Sequence, residues 1–120
     1  MVNRSQDIPP RFASALQRLD GESSLLCEMA AITSEDLPEV QEKTEAALAD
    51  GDCEQAASGL HKLKGMLSTF DADGVVLEIQ EILDAARNGR IDDARRGYRE
   101  QKSEIDALTR DIAKLARDTA

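Results

Sequence analysis

The stretch IDDARRGYREQKSEIDALTRDIAKL, residues 91–115, decides the fold class. Its Ile91, Ala94, Tyr98, Gln101, Ile105, Leu108, Ile112 and Leu115 recur at alternating intervals of three and four residues, the spacing of one helix face and not of a strand. A helix striped in this way needs partners to cover the stripe. The rest of the chain supplies them. From about Ser23 to Ala49, Leu26, Met29, Thr33, Leu37, Val40, Thr44 and Ala47 repeat with the same rhythm, and Pro38 is expected to kink or divide that helix. Asp52, with Gln55 three residues on, has the form of a capping box and opens a helix expected to run to about Phe70. Val75, Ile79, Ile82 and Ala86 stripe another, from about Gly74 to Ala86. Asp20-Gly21, Asp50-Gly51-Asp52, Asp71-Ala72-Asp73-Gly74 and Asn88-Gly89 are the breaks. A short segment from Pro10 to Leu19 carries Phe12, Leu16 and Leu19 on one side and reads as a lid. Short connections place sequence neighbours side by side. The expected fold is therefore all-α: an antiparallel up-down-up-down four-helix bundle with a short N-terminal lid helix, spanning residues 9–118 after a tail of residues 1–8.

Composition narrows the function. The chain has 120 residues, which is one domain and leaves no room for separate cofactor and substrate lobes. Its net charge of −9 repels phosphate backbones and anionic lipid headgroups, so neither nucleic acid nor a membrane surface is an expected partner. Apolar runs such as Leu25-Leu26-Cys27 are too short to span a bilayer, and Pro9-Pro10 precedes any hydrophobic run, so a cytoplasmic address is expected. Cys27 and Cys53 lack CxxC or Cys/His spacing, so plain thiols and no intrinsic metal or other cofactor are expected.

Chemistry is concentrated in Gln55-Ala56-Ala57-Ser58-Gly59-Leu60-His61-Lys62-Leu63-Lys64-Gly65-Met66-Leu67-Ser68-Thr69-Phe70, which holds the only histidine, two lysines and no acid. Ala56, Leu60, Leu63, Leu67 and Phe70 form its core stripe, and His61 lies about 140° from the centre of that stripe, pointing outward. Ala57, Ser58, Lys64, Gly65 and Ser68 share its face, whereas Lys62 points elsewhere. A glycine inside a helix costs about 1 kcal/mol relative to alanine, and Gly65 stands one turn from the imidazole, where it gives another protein's backbone room to approach. A neutral imidazole is a nucleophile near pH 7, and a lysine one turn away can neutralise an incoming phosphoryl group. No Ser-His-Asp set, HExxH or phosphate-binding glycine loop accompanies it, so hydrolysis is a poor fit.

These residues resemble a family. Leu60-His61-Lys62-Leu63-Lys64-Gly65 is similar to the H-x-L-K-G core of the histidine phosphotransfer (HPt) domains of bacterial phosphorelays. Leu19-Asp20-Gly21-Glu22-Ser23-Ser24-Leu25-Leu26 resembles the family's opening L-G-G-D-x-x-L-L, and Ala47-Leu48-Ala49-Asp50-Gly51-Asp52 its A-L-x-x-G-D. Ile82-Leu83-Asp84-Ala85-Ala86-Arg87-Asn88-Gly89 resembles L-E-x-A-A-R-x-G, and the likeness covers about residues 15 to 115. It implies that His61 is the phospho-acceptor on Nε2, that Lys64 steadies the phosphoryl oxygens, and that Gly65 admits the partner. That partner would be a response-regulator receiver domain or a hybrid sensor histidine kinase, with the receiver supplying an acidic pocket and Mg²⁺. The chain would then be a monomeric phosphotransfer protein with no independent catalytic site. It departs from the family pattern at Met66, usually a small residue, at Asp71, usually glycine, and at Leu83, where many members place the Gln or Glu that holds the second imidazole nitrogen. Gln80, one turn earlier, is the expected substitute, with Asp84 the other candidate.

Two other readings are compatible with the same residues. The phosphoacceptor domain of chemotaxis-type histidine kinases shares the fold, and a helical interaction module without phosphorylation would use the same surface. Tyr98, Met29 and Met66 read as core or boundary packing, and Arg95-Arg96 as a solvated helix face.

Overall fold

The computed structural model describes residues 8–72 and 74–117, and all regular structure among them is helical. A 3-10 turn, Pro10–Phe12, runs into α1 (Ala13–Arg18); α2 (Ser23–Asp50), α3 (Cys53–Leu67), α4 (Val75–Arg87) and α5 (Ile91–Arg117) follow. The expected tail lies outside the described residues except for Ile8, which packs half-buried against the core. Residue 118, the expected end of the bundle, and Asp73 of the third break also lie outside them. Each long helix packs on the long helix before and after it in sequence, and α5 closes the ring on α2. The stripes meet inside that ring. Leu26, Leu60, Leu63, Leu67, Ile79, Leu83, Ile105, Leu108 and Ile112 are fully buried.

Pro38 does not divide α2, which continues from Ser23 through Asp50. Proline removes one backbone donor, but the buried Leu37 and Val40 on either side hold this stretch against the bundle. The helix ends at Gly51, whose φ of 74° is the left-handed cap that glycine adopts without strain. Arg95 corrects the expectation of a solvated Arg95-Arg96 face: its Nε donates to the Leu48 carbonyl at 2.7 Å and its Nη2 to that of Ala49 at 3.2 Å. The last carbonyls of a helix lack intrahelical partners and form the negative end of its dipole, which is where a guanidinium is favoured. Arg96 remains exposed and pairs with Asp93 at 3.0 Å.

Asp52 caps α3 as expected, accepting from the Gln55 backbone N–H at 3.0 Å. The helix ends three residues early, at Leu67. Phe70 and Asp71 both donate backbone N–H bonds to the Leu67 carbonyl, at 2.9 and 3.0 Å, tightening the chain into a turn. The reason is tertiary. The turn brings Phe70 edge-on to Phe12 of the lid segment, with ring centroids 6.1 Å apart at 77°, while Arg18 Nη2 donates to the Thr69 carbonyl at 2.8 Å.

Between α2 and α5, the buried Tyr98 hydroxyl donates to Glu45 Oε2 at 2.8 Å, and Lys102 Nζ donates to the same oxygen at 3.2 Å. Further along, Gln41 Nε2 donates to Asp106 Oδ1 at 3.4 Å. Burial, and then the Glu45 carboxylate, push the Tyr98 phenol well above its ordinary pKa, so it stays a neutral donor.

Gly59 is the closest approach of α2 and α3: a Cβ built there would lie 2.2 Å from Thr44 Oγ1 and 3.2 Å from its Cα. Thr44 is fully buried, with its hydroxyl donated to the Val40 carbonyl at 2.7 Å. Gly59→Ala is expected to lower stability by about 2 kcal/mol through overpacking, despite alanine's better helix propensity, as a shifted urea midpoint will show.

Candidate functional site

His61 is exposed on the outer face of α3, as its angle from the core stripe requires. Among the described residues its imidazole makes no hydrogen bond and no ion pair. Ser58 and Gly65 on the same strip are exposed, and Ala57, Lys64 and Ser68 are half-buried. No acidic side chain on α3 therefore stands within a turn of the ring, and apart from Lys64 the residues sharing its face are small.

Gly65 differs from the other glycines inside the long helices. A Cβ added at Gly59 would strike Thr44, and one added at Gly97 would lie 3.0 Å from Ile82, whereas one added at Gly65 meets nothing within 4 Å. Internal packing accounts for the first two glycines and leaves the third unaccounted for. The open space at Gly65 faces outward, beside His61.

Lys64 reaches from α3 to α4, where its Nζ donates to Gln80 Oε1. The other end of that amide donates from Nε2 to Asp84 Oδ1 at 2.8 Å. The structure thus joins Lys64, Gln80 and Asp84, and it corrects the expected bond from Gln80 to the imidazole: both ends of the amide are already engaged, by an ammonium and a carboxylate. Asp84 does not hold the imidazole either. Leu83 is fully buried in the core.

The other two departures have local explanations. Asp71 Oδ1 and Oδ2 accept the backbone N–H bonds of Gly74 at 2.7 Å and Val75 at 3.1 Å, so Asp71 caps α4 where the family usually has glycine. Met66 is half-buried and packs against the core.

On its other flank α3 meets α2 in a groove of about 290 Å³ lined by Asp36, Glu39, Lys43, Ser58 and Lys62 among others, but not by His61. Glu39 pairs with Lys43 at 2.9 Å, and that hydrogen bond, more than the nearby Lys62 charge, holds its carboxyl below the usual range. Two apolar side chains stand out in solvent: Leu77, one turn before Gln80 on α4, is 55% exposed, and Ile32 on α2 is 68% exposed. Sequence reasoning did not single out either. Leu77 was legible as a position outside the Val75-Ile79-Ile82 stripe.

Among the described residues no group of three or more His, Cys, Asp or Glu side chains is placed to hold a metal ion. No described helix is long and apolar enough to cross a membrane.

Neither the curated proteins nor the solved structures include one that matches this chain. The family profile described as Hpt domain matches residues 28–115. That range holds the whole of α3 and α4 and leaves out the Leu19–Leu26 segment whose resemblance was noted above. With an exposed histidine inside a matching helical bundle, over well more than half of its length, the chain belongs to the Hpt domain family, the histidine phosphotransfer modules of phosphorelays.

Proposed function

We propose that the chain is a phosphorelay intermediate that takes a phosphoryl group from a receiver-domain aspartate onto Nε2 of His61 and returns it to another. The observation that carries this reading is the combination on one strip of α3: a solvent-facing imidazole with no partner among the described residues, next to a glycine that internal packing does not require. In the transfer the Nε2 lone pair attacks phosphorus, the N–P bond forms, and the P–O bond breaks with its electrons returning to the carboxylate. Nδ1 keeps its proton, so no general base is needed. Mg²⁺ and the acidic pocket come from the receiver, which explains how a chain with one histidine can take part without catalysing alone. Lys64 steadies the phosphoryl oxygens, and the exposed Leu77, one turn from Gln80, gives the receiver apolar surface to cover.

The same reading assigns the bundle its topology. Arg95 against Leu48, Tyr98 against Glu45 and Asp106 against Gln41 run in opposite directions along α2 and α5, which supports an antiparallel up-down-up-down order with the lid on the α3–α4 turn. A single bundle domain over residues 9–118, acting as a soluble cytoplasmic monomer, fits this reading.

The test is incubation with phosphorylated receiver domains. Transfer of an acid-labile, base-stable phosphate to His61 supports the proposal; receiver binding with no phosphate on the chain would favour the non-phosphorylated interaction module instead. Gly65→Ala separates folding from docking. With nothing within 4 Å of the new Cβ, the variant is expected to be more stable by about 0.5 to 1 kcal/mol in thermal melts. It is also expected to accept phosphoryl from a receiver more slowly, because the added methyl occupies the partner's approach.

A further inference from the structure

We infer that Gln80 and Asp84 are positioning residues for Lys64, a chain running from carboxylate through amide to ammonium that holds one lysine charge ready for the phosphoryl group; this rests on the reading that His61 carries that group. A carboxylate only accepts hydrogen bonds and an ammonium only donates them. An amide between the two therefore has one orientation, with Nε2 toward Asp84 and Oε1 toward Lys64, as the structure has it. Turning Gln80 to serve the imidazole would break both bonds at once.

The ion pairs among the described residues sharpen this. Lys43, Lys102, Arg11, Arg90, Arg95 and Arg96 each meet a carboxylate, whereas Lys64 meets an amide. The Asp84 carboxylate is held one neutral group away, so the ammonium is fixed in place without pairing directly with an acid. Lysine carries a flexible four-carbon stem, and a free one would spread its charge over many rotamers. Anchoring one of its three N–H donors on Gln80 leaves two for phosphoryl oxygens. The same bond ties the outer strip of α3 to α4, so the position of Lys64 depends on how those two helices pack.

A donor that needs no docking surface isolates this effect. Phosphoramidate as its zwitterion labels a nucleophilic imidazole directly: the N–P bond to Nε2 forms, the donor's P–N bond breaks, and neutral ammonia leaves. Gln80→Met and Asp84→Ala are each expected to slow labelling of His61 about fivefold, with unchanged thermal melts, and Lys64→Ala to slow it at least as much. Gln80→Met added to Lys64→Ala is expected to slow it no further, and ¹⁵N NMR is expected to show the same His61 tautomer ratio with and without Gln80. Additive slowing in the double variant, or a tautomer ratio that moves with Gln80, would mean that Gln80 acts on the imidazole itself and would overturn the inference. Labelling that is indifferent to Lys64 overturns it too, while leaving the phosphotransfer reading intact. No labelling of the unaltered chain by either phosphoramidate or receivers sinks both.

Discussion

His61→Gln yields a chain that folds as before and takes up no phosphoryl group. Glutamine keeps a polar side chain of similar length on the outer strip of α3, and the imidazole it replaces makes no bond with any described residue, so stability should stay within about 0.5 kcal/mol. Reactivity is lost because the amide nitrogen's lone pair is delocalised into the carbonyl and no longer attacks phosphorus. The chain contains no other histidine to take over. Radiolabelled receiver incubated with the variant should therefore transfer nothing to it, while unaltered chain is labelled in the same experiment. Undiminished labelling would place the phosphate on another residue and end the proposal, whatever the family match implies.

That His61 faces outward was legible from residue spacing alone, because a fixed 100° step places it once the Leu60-Leu63-Leu67 stripe is known. The same holds for α5, whose faultless rhythm from Ile91 to Leu115 marks its length almost to the residue. What was not legible depends on a neighbour. The end of α3 at Leu67 is set by Phe70 turning to meet Phe12, some 58 positions away in sequence, and no local pattern around Phe70 announces it. Arg95 looked like a surface residue because the carbonyls it caps belong to α2. Pro38 looked like a break because its chemistry is local, while the packing of Leu37 and Val40 that carries the helix past it is not.

The partner of Gln80 was hidden for the same reason. Its place one turn from Leu83 follows from the sequence, but whether it meets His61 or Lys64 depends on the register of α3 against α4, and one turn of difference exchanges them. The structure gives the bond to Lys64. An ammonium donor makes this a charge-assisted hydrogen bond, stronger than one between neutral groups.

Leu83→Gln places the residue that many family members carry at the corresponding position, and it is expected to lower stability by about 3 to 5 kcal/mol without orienting His61. Leu83 is fully buried on the core side of α4, between the buried Ile79 and Ala86. The imidazole, in contrast, stands exposed on the outer strip of α3. A glutamine there loses the apolar transfer energy of leucine and buries an amide in the hydrophobic core. Because whole domains are stable by only about 5 to 15 kcal/mol, such a loss should move the urea midpoint far toward zero. Leu83→Met, which keeps the volume and adds no polar atom, should cost less than about 1.5 kcal/mol and serves as the control. If instead Leu83→Gln folds as stably as the unaltered chain and shifts the His61 tautomer ratio, α4 rotates enough to deliver that side chain to the imidazole. Gln80 and Lys64 would then be parted by the same rotation, so one denaturation series with one NMR titration decides which face of α4 this chain turns toward its histidine.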